Sequence, residues 1–147
     1  MTNSVPFPSY VVTVNYGQTI ERLIHSGKYD WICEGKITSD HYPSGERGYV
    51  EVLVYLVNFG YFIHSEGVVK ELNKWGMRPA TVKEILTLGF QHPDLQRHDK
   101  ILALGSTWLD SRGDVNSPYL WGRDGRRWLS IGSSPWAEDY LFAAVCK

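Results

Sequence analysis

Hydrophobic positions along this chain first alternate, then take helical spacing, then return to short alternating runs. Tyr10–Asn15 is β-branched and aromatic and predicts a strand. Ile20, Leu23 and Ile24 recur at three and four residues, which predicts a helix ended by Gly27. From Lys28 to Gly48, Pro, Gly, Asp and Ser break any period, so an irregular segment is expected, anchored by Tyr29, Trp31 and Ile32. Within Gly48–Gly60, Val50, Val52, Val54 and Leu56 fall on one face and Leu53, Tyr55 and Val57 on the other. This pattern predicts a central strand covered on both sides.

The middle of the chain reads as helices. Ser65 is placed to cap a helix with Val68, Val69, Leu72 and Trp75 on one stripe and Gly76 as its stop. Thr81 and Glu84 have the spacing of a capping box, in which hydroxyl and carboxylate each satisfy a free N–H of the first turn. Ile85 and Leu88 give that helix its buried stripe and Gly89 is its expected end, while Pro93 opens one further turn. After Lys100 the pattern becomes "ILALGSTWL", "PYLWG", "RRWLSIG" and "YLFAAVC", short strands separated by turns. Helices in the middle and strands at the end give an α+β class.

At 147 residues the chain is expected to form one domain, burying roughly 70% of the surface of its unfolded form. A formal net charge of −1 supplies no general attraction to phosphate or anionic lipid, so no nucleic-acid partner is expected. No apolar run approaches the ~18 residues of a membrane span, and the N-terminus has no signal-peptide pattern; a soluble chain without membrane insertion is expected. Cys33 and Cys146 are far apart and lack metal-ligand spacing, leaving a disulfide between them open.

Candidate chemistry is sparse. His25, His41, His64, His92 and His98 form no i, i+4 pair on a convincing helix, so no metal site or cofactor is expected. The run His64-Ser65-Glu66 holds triad residue types, but adjacent residues at a strand-to-helix corner do not converge on one reacting atom. "GRDGRR" is too short for a phosphate loop and reads as a hairpin turn. Cys33 reads as a small buried apolar residue. Beyond residue 100 lie Trp108, Trp121, Trp128 and Trp136 among balanced charges, a mixture that suits recognition of proteins or glycans. Trp108 and Trp136 are expected to pack inside, whereas Trp121 and Trp128 flank the "GRDGR" turn and are candidates for exposure.

The pieces "YVEVLVYLVNF", "SEGVVKELNKWG", "TVKEILTLG" and "ILALGSTW", with the ending "FAAV" plus Lys147, resemble the C-type lectin fold used by variable proteins of diversity-generating retroelements. The resemblance implies a lectin-like domain at 48–147 with short antiparallel strands and two main helices, and an extension at 1–47 packed on it. It implies a non-catalytic protein that displays a hypervariable surface to a protein or other macromolecular ligand. The ligand-facing positions carried over are Trp121, Arg123, Asp124, Arg126, Trp128, Ser130, Ser133, Ser134, Ala137, Asp139 and Leu141. Leu129, Ile131, Phe142, Ala143, Ala144 and Val145 are the implied scaffold. The "EPN", "QPD" and "WND" signatures of calcium-dependent lectins are absent. A monomer is favoured, and display on a virus or cell surface would run through a partner. Two alternatives stand beside this: a lectin-fold enzyme related to formylglycine-generating and sulfatase-modifying proteins, and a structural oligomer subunit.

Overall fold

The last strand, β9 (Tyr140–Cys146), lies between the others in the computed structural model, which describes residues 5–147. On one side it pairs antiparallel with β3 (Tyr49–Val57); on the other it pairs parallel with β5 (Lys100–Leu102) and antiparallel with β4 (Met77–Pro79). From β3 the sheet continues to β1 (Ser9–Asn15), and from β5 to β7 (Val115–Arg123), β8 (Arg126–Gly132) and the two-residue β2 (Trp31–Ile32). A short β6 (Trp108–Leu109) pairs with β7, completing a nine-stranded sheet. Three helices accompany it: α1 (Ile20–Gly27), α2 (Ser65–Lys74) and α3 (Val82–Gln91), with a 3-10 turn at Pro93–Arg97. The fold is α+β, and among the described residues no helix is long and apolar enough to cross a membrane.

Strand alternation sorts side chains into two cores. Val12, Val14, Val54, Ile101, Leu120, Leu129 and Ala143 face one side, where Ile20 and Leu23 of α1 and Ile85 and Leu88 of α3 cover them. Val57, Leu102, Phe142 and Ala144 face the other, against Val68 and Leu72 of α2, Met77 and Trp136. The implied scaffold residues Leu129, Phe142, Ala143, Ala144 and Val145 are all buried, and Ile131 packs against the first core.

Several expectations change in detail. β3 is second from the edge, and both its faces are covered only near Val57; Leu53 is exposed because no helix lies over that end of the second face, and Val50 is exposed at the start of the strand on the first face. The residue capping α2 is His64, without a side-chain cap bond, because the Ser65 hydroxyl already accepts from Trp136 Nε1 at 2.9 Å. The Thr81–Glu84 capping box is present. Gly89 does not end α3, which runs to Gln91; its role is space, since a Cβ there would lie 2.4 Å from the Tyr29 hydroxyl. The first four residues of the expected extension lie outside the described residues. The remainder supplies both outermost strands of the sheet order, β1 and β2, together with α1.

A buried polar network ties α3 to its surroundings. The fully buried Glu84 carboxylate accepts from Arg78 at 2.9 and 2.7 Å, from the Tyr16 hydroxyl at 2.6 Å and from the Thr81 N–H at 2.8 Å. Burial pushes its pKa up, but the bonds from Arg78, Tyr16 and Thr81 together outweigh burial and hold it below the ordinary carboxylate value. Beside it, Lys83 Nζ donates to the Tyr16 carbonyl at 2.7 Å.

Candidate binding face

The site begins with a hairpin. Arg123 pairs with Arg126 across a two-residue turn, where Asp124 has φ of 53° and Gly125 of 78°, the left-handed pair that matches the twist of a tight hairpin. Register then places Trp121 opposite Trp128, and the parallel pairing of β2 places Trp31 opposite Trp128 as well. The three indoles therefore form a row across adjacent strands on one face of the sheet. Trp121 and Trp128 meet edge to face, with ring centroids 4.4 Å apart and planes at 78°. Trp31 is 50% exposed, so it projects instead of anchoring its segment as the sequence suggested.

The row borders a pocket of about 410 Å³ lined by Asp30, Trp31, Trp121, Arg126, Trp128 and Ser130. Its chemistry is stacking from the indoles, forked hydrogen bonding from the guanidinium, and acceptance by the carboxylate and hydroxyl. This face is the one that bears the second core further along, yet α2 and Trp136 cover only the β3–β9–β5 side of it. The β7–β8–β2 side keeps its aromatic residues half-buried or exposed.

The opposite side of the same hairpin is built rigidly. Arg127, the neighbour of Arg126, points inward: its two terminal nitrogens donate to the Gly27 carbonyl at 2.6 Å, the Gly89 carbonyl at 2.6 Å and Gln96 Oε1 at 3.1 Å. Both glycines lie in the last turns of their helices, where unpaired carbonyls favour a cation. The guanidinium also stands 4.8 Å from the centre of the Tyr29 ring. Burial pushes the Tyr29 hydroxyl pKa up, with Arg127 acting in the opposite direction. The buried Gln96 amide donates to the carbonyls of Trp121 and Trp128 at 2.9 and 3.0 Å, fixing the backbone beneath the indole pair. Asp30 joins β2 to β8, its carboxylate accepting from Arg127 N and its own N–H donating to the Arg127 carbonyl, each at 2.7 Å. At Gly122 a Cβ would lie 2.6 Å from the Gln96 carbonyl oxygen, so the hairpin seats against the 3-10 turn only with glycine there.

Sequence reasoning missed Arg127, Gln96, Asp30 and the exposed role of Trp31. For Arg127 a signal was present: once Leu129 and Ile131 face the core, strand alternation sends Arg127 inward with them and Arg126 outward. No comparable signal marks Trp31, whose place depends on pairing with a strand nearly a hundred residues away.

The eleven candidate positions divide. Trp121, Arg126, Trp128 and Ser130 line the pocket, and Arg123 and Asp124 are exposed at the adjoining turn. The remaining five do not join them. Ser133 is exposed in the loop after β8; Ser134 Oγ accepts from the Ser65 N–H at 3.2 Å and lies 3.2 Å from His64 Nδ1, which makes it part of the α2 start. Ala137 is half-buried beside the buried Trp136, and Asp139 is exposed with Lys100 3.4 Å away. Leu141 pairs with Ile101 and packs on the first core, so its side chain is on the helix-covered side of the sheet.

Of the other candidates, Trp136 is buried, and Trp108 is half-buried, stacked on His41 with ring centres 3.7 Å apart. Cys33 is half-buried and Cys146 exposed, both as free thiols; burial pushes the Cys33 thiol pKa up, away from a reactive thiolate. Among the described residues no cluster of three His, Cys, Asp or Glu is placed to hold a metal ion. Compared with known proteins, the chain matches no family model, no curated protein and no solved structure.

Proposed function

We propose that this chain is a non-catalytic binding module that presents the β7–β8–β2 face to a macromolecular ligand, with the lectin-like variable proteins of diversity-generating retroelements as its family. The observation that carries this reading is the division of the hairpin. Arg123, Asp124, Arg126 and Ser130 surround a tryptophan row in which Trp31 is exposed and Trp121 and Trp128 are half-buried, while Arg127, Leu129 and Gln96 hold the backbone from the other side. Tryptophan and arginine are the residue types that dominate binding hot spots, and a rigid backbone lowers the ordering cost of using them. The surrounding polar side chains are free to vary because they touch solvent, not core.

The test is a displayed library randomised at Arg123, Asp124, Arg126 and Ser130. Most members should fold, and selection against a panel of proteins should return distinct binders whose affinity depends on Trp121 and Trp128. A library that is mostly unfolded, or that returns no binder, contradicts the reading. The family assignment has its own test: a near-copy of the coding sequence for the C-terminal stretch, differing at adenines and lying beside a reverse transcriptase gene. Without that neighbour the family assignment falls, and the binding reading is judged by the library alone.

A further inference from the structure

We infer that the ligand segment seated on this face is a proline-rich peptide in an extended left-handed helix, carrying a basic residue next to its prolines; this rests on the binding reading above. The tryptophan pocket has a neighbouring depression that shares a wall with it. This depression, also about 410 Å³, lies at the sheet edge and is lined by Tyr29, Asp30, Trp31, Ile32 and Glu34. Trp31 and Asp30 belong to both walls, so the projecting indole divides one depression from the other. A flat face beside a single ridge suits a rod whose side chains drop on either side of that ridge.

Spacing supports the rod. Trp121 and Trp31 are register partners of Trp128 on its two neighbouring strands, so they stand two strand spacings apart, about 10 Å. A polyproline helix repeats every three residues, about 9 Å, which brings residues i and i+3 over the two ends of the row. Such a helix is largely formed before binding, so aromatic grooves capture it at low entropic cost. Pairing of the ligand as an added strand is disfavoured here, because the free edge, β2, is only two residues long.

Charge selects the flanking residue. The outer depression is lined by two carboxylates, Asp30 and Glu34, and by no lysine or arginine. One Asp30 oxygen is engaged by Arg127 N, while Glu34 is exposed. A lysine or arginine of the ligand would meet both acids and the face of Trp31, an arrangement that stabilises a cation and repels phosphate. Asp30, Trp31 and Glu34 lie outside the stretch 121–141, so the class of ligand would be set by this outer depression and its identity by the polar side chains around the inner one.

The test is titration of the purified protein, followed by tryptophan fluorescence and calorimetry, with four probes. These are an oligoproline peptide bearing a terminal arginine, the same peptide with glutamate in place of arginine, a Gly/Ser peptide of equal length with the arginine, and a neutral β-linked oligosaccharide. The arginine–oligoproline peptide should bind at least about tenfold more tightly than each of the others. Trp31→Ala should abolish that binding, and Glu34→Gln should remove the preference for arginine over glutamate while leaving the thermal transition unchanged. Equal binding of the glutamate peptide or of the Gly/Ser peptide overturns the proposal. So does binding of the oligosaccharide alone, an outcome that keeps the tryptophan row as a binding face. Silence from all four probes overturns it too, whereas recovery of binders from the randomised library would show that the binding reading itself survives.

Discussion

The two sides of strand β8 differ by one residue of register and by everything in their surroundings. Arg126, Trp128 and Ser130 line a solvent-facing pocket; Arg127, Leu129 and Ile131, interleaved with them, meet helix ends and the first core. The two adjacent arginines make the contrast sharpest. Arg126 is exposed beside indoles, while Arg127 is buried with its charge spread over two carbonyls, an amide oxygen and an aromatic ring. In a strand, alternation alone turns one residue toward solvent and the next toward the core.

The largest expected break of this contrast is Arg127→Ala. It leaves two buried carbonyls and Gln96 without their charged donor and should cost about 3–4 kcal/mol in urea denaturation. Arg127→Lys should recover little of this, since a single ammonium does not reach the Gly27 and Gly89 carbonyls in the planar geometry the guanidinium provides. Gly122→Ala should follow, at about 2–3 kcal/mol, because the added carbon meets backbone oxygens of Gln96 and Arg126 that have no room to yield.

Glu84→Gln should cost about 2 kcal/mol, discounted because Arg78 is partly exposed. Its pH signature is directional. Glu84's folded pKa lies below the ordinary value, so its contribution is full above the unfolded carboxylate pKa and is lost as pH falls through the lower folded one. Acid titration of stability should therefore be shallower in the variant than in the parent. A parallel acid limb in both would contradict the assigned role of the network.

Ser134→Ala separates two members of the expected ligand-facing set. Its hydroxyl accepts the Ser65 N–H at the start of α2, so its loss should cost about 1 kcal/mol, while Ser130→Ala should be close to neutral. If both were neutral, Ser134 would belong with the surface residues after all.

How much of this was readable beforehand follows from the range of the interactions. The capping box of Thr81 and Glu84, the Asp124–Gly125 hairpin turn and the buried terminal strand are local patterns, and each is present as read. Glu84's bond from Tyr16, the Arg127 bracket and the addition of β2 beside β8 join segments distant in sequence, and nothing in local periodicity encodes them. Trp31 illustrates the cost: in an aperiodic segment it looked like an anchor, yet tertiary pairing set it half in solvent. Leu141 illustrates the converse, since a position carried over by resemblance took no account of the strand register that turns it toward the core.

The central claim, that the polar residues around the tryptophan row are separable from the fold, is tested most directly by urea denaturation of one variant. In it Arg123, Asp124, Arg126 and Ser130 are replaced together by alanine. The account predicts an unfolding free energy within about 1 kcal/mol of the parent and an unchanged denaturant slope. A loss comparable to that of Arg127→Ala would show that these side chains hold the structure together, and the division of the hairpin into a recognition side and a stability side would be wrong.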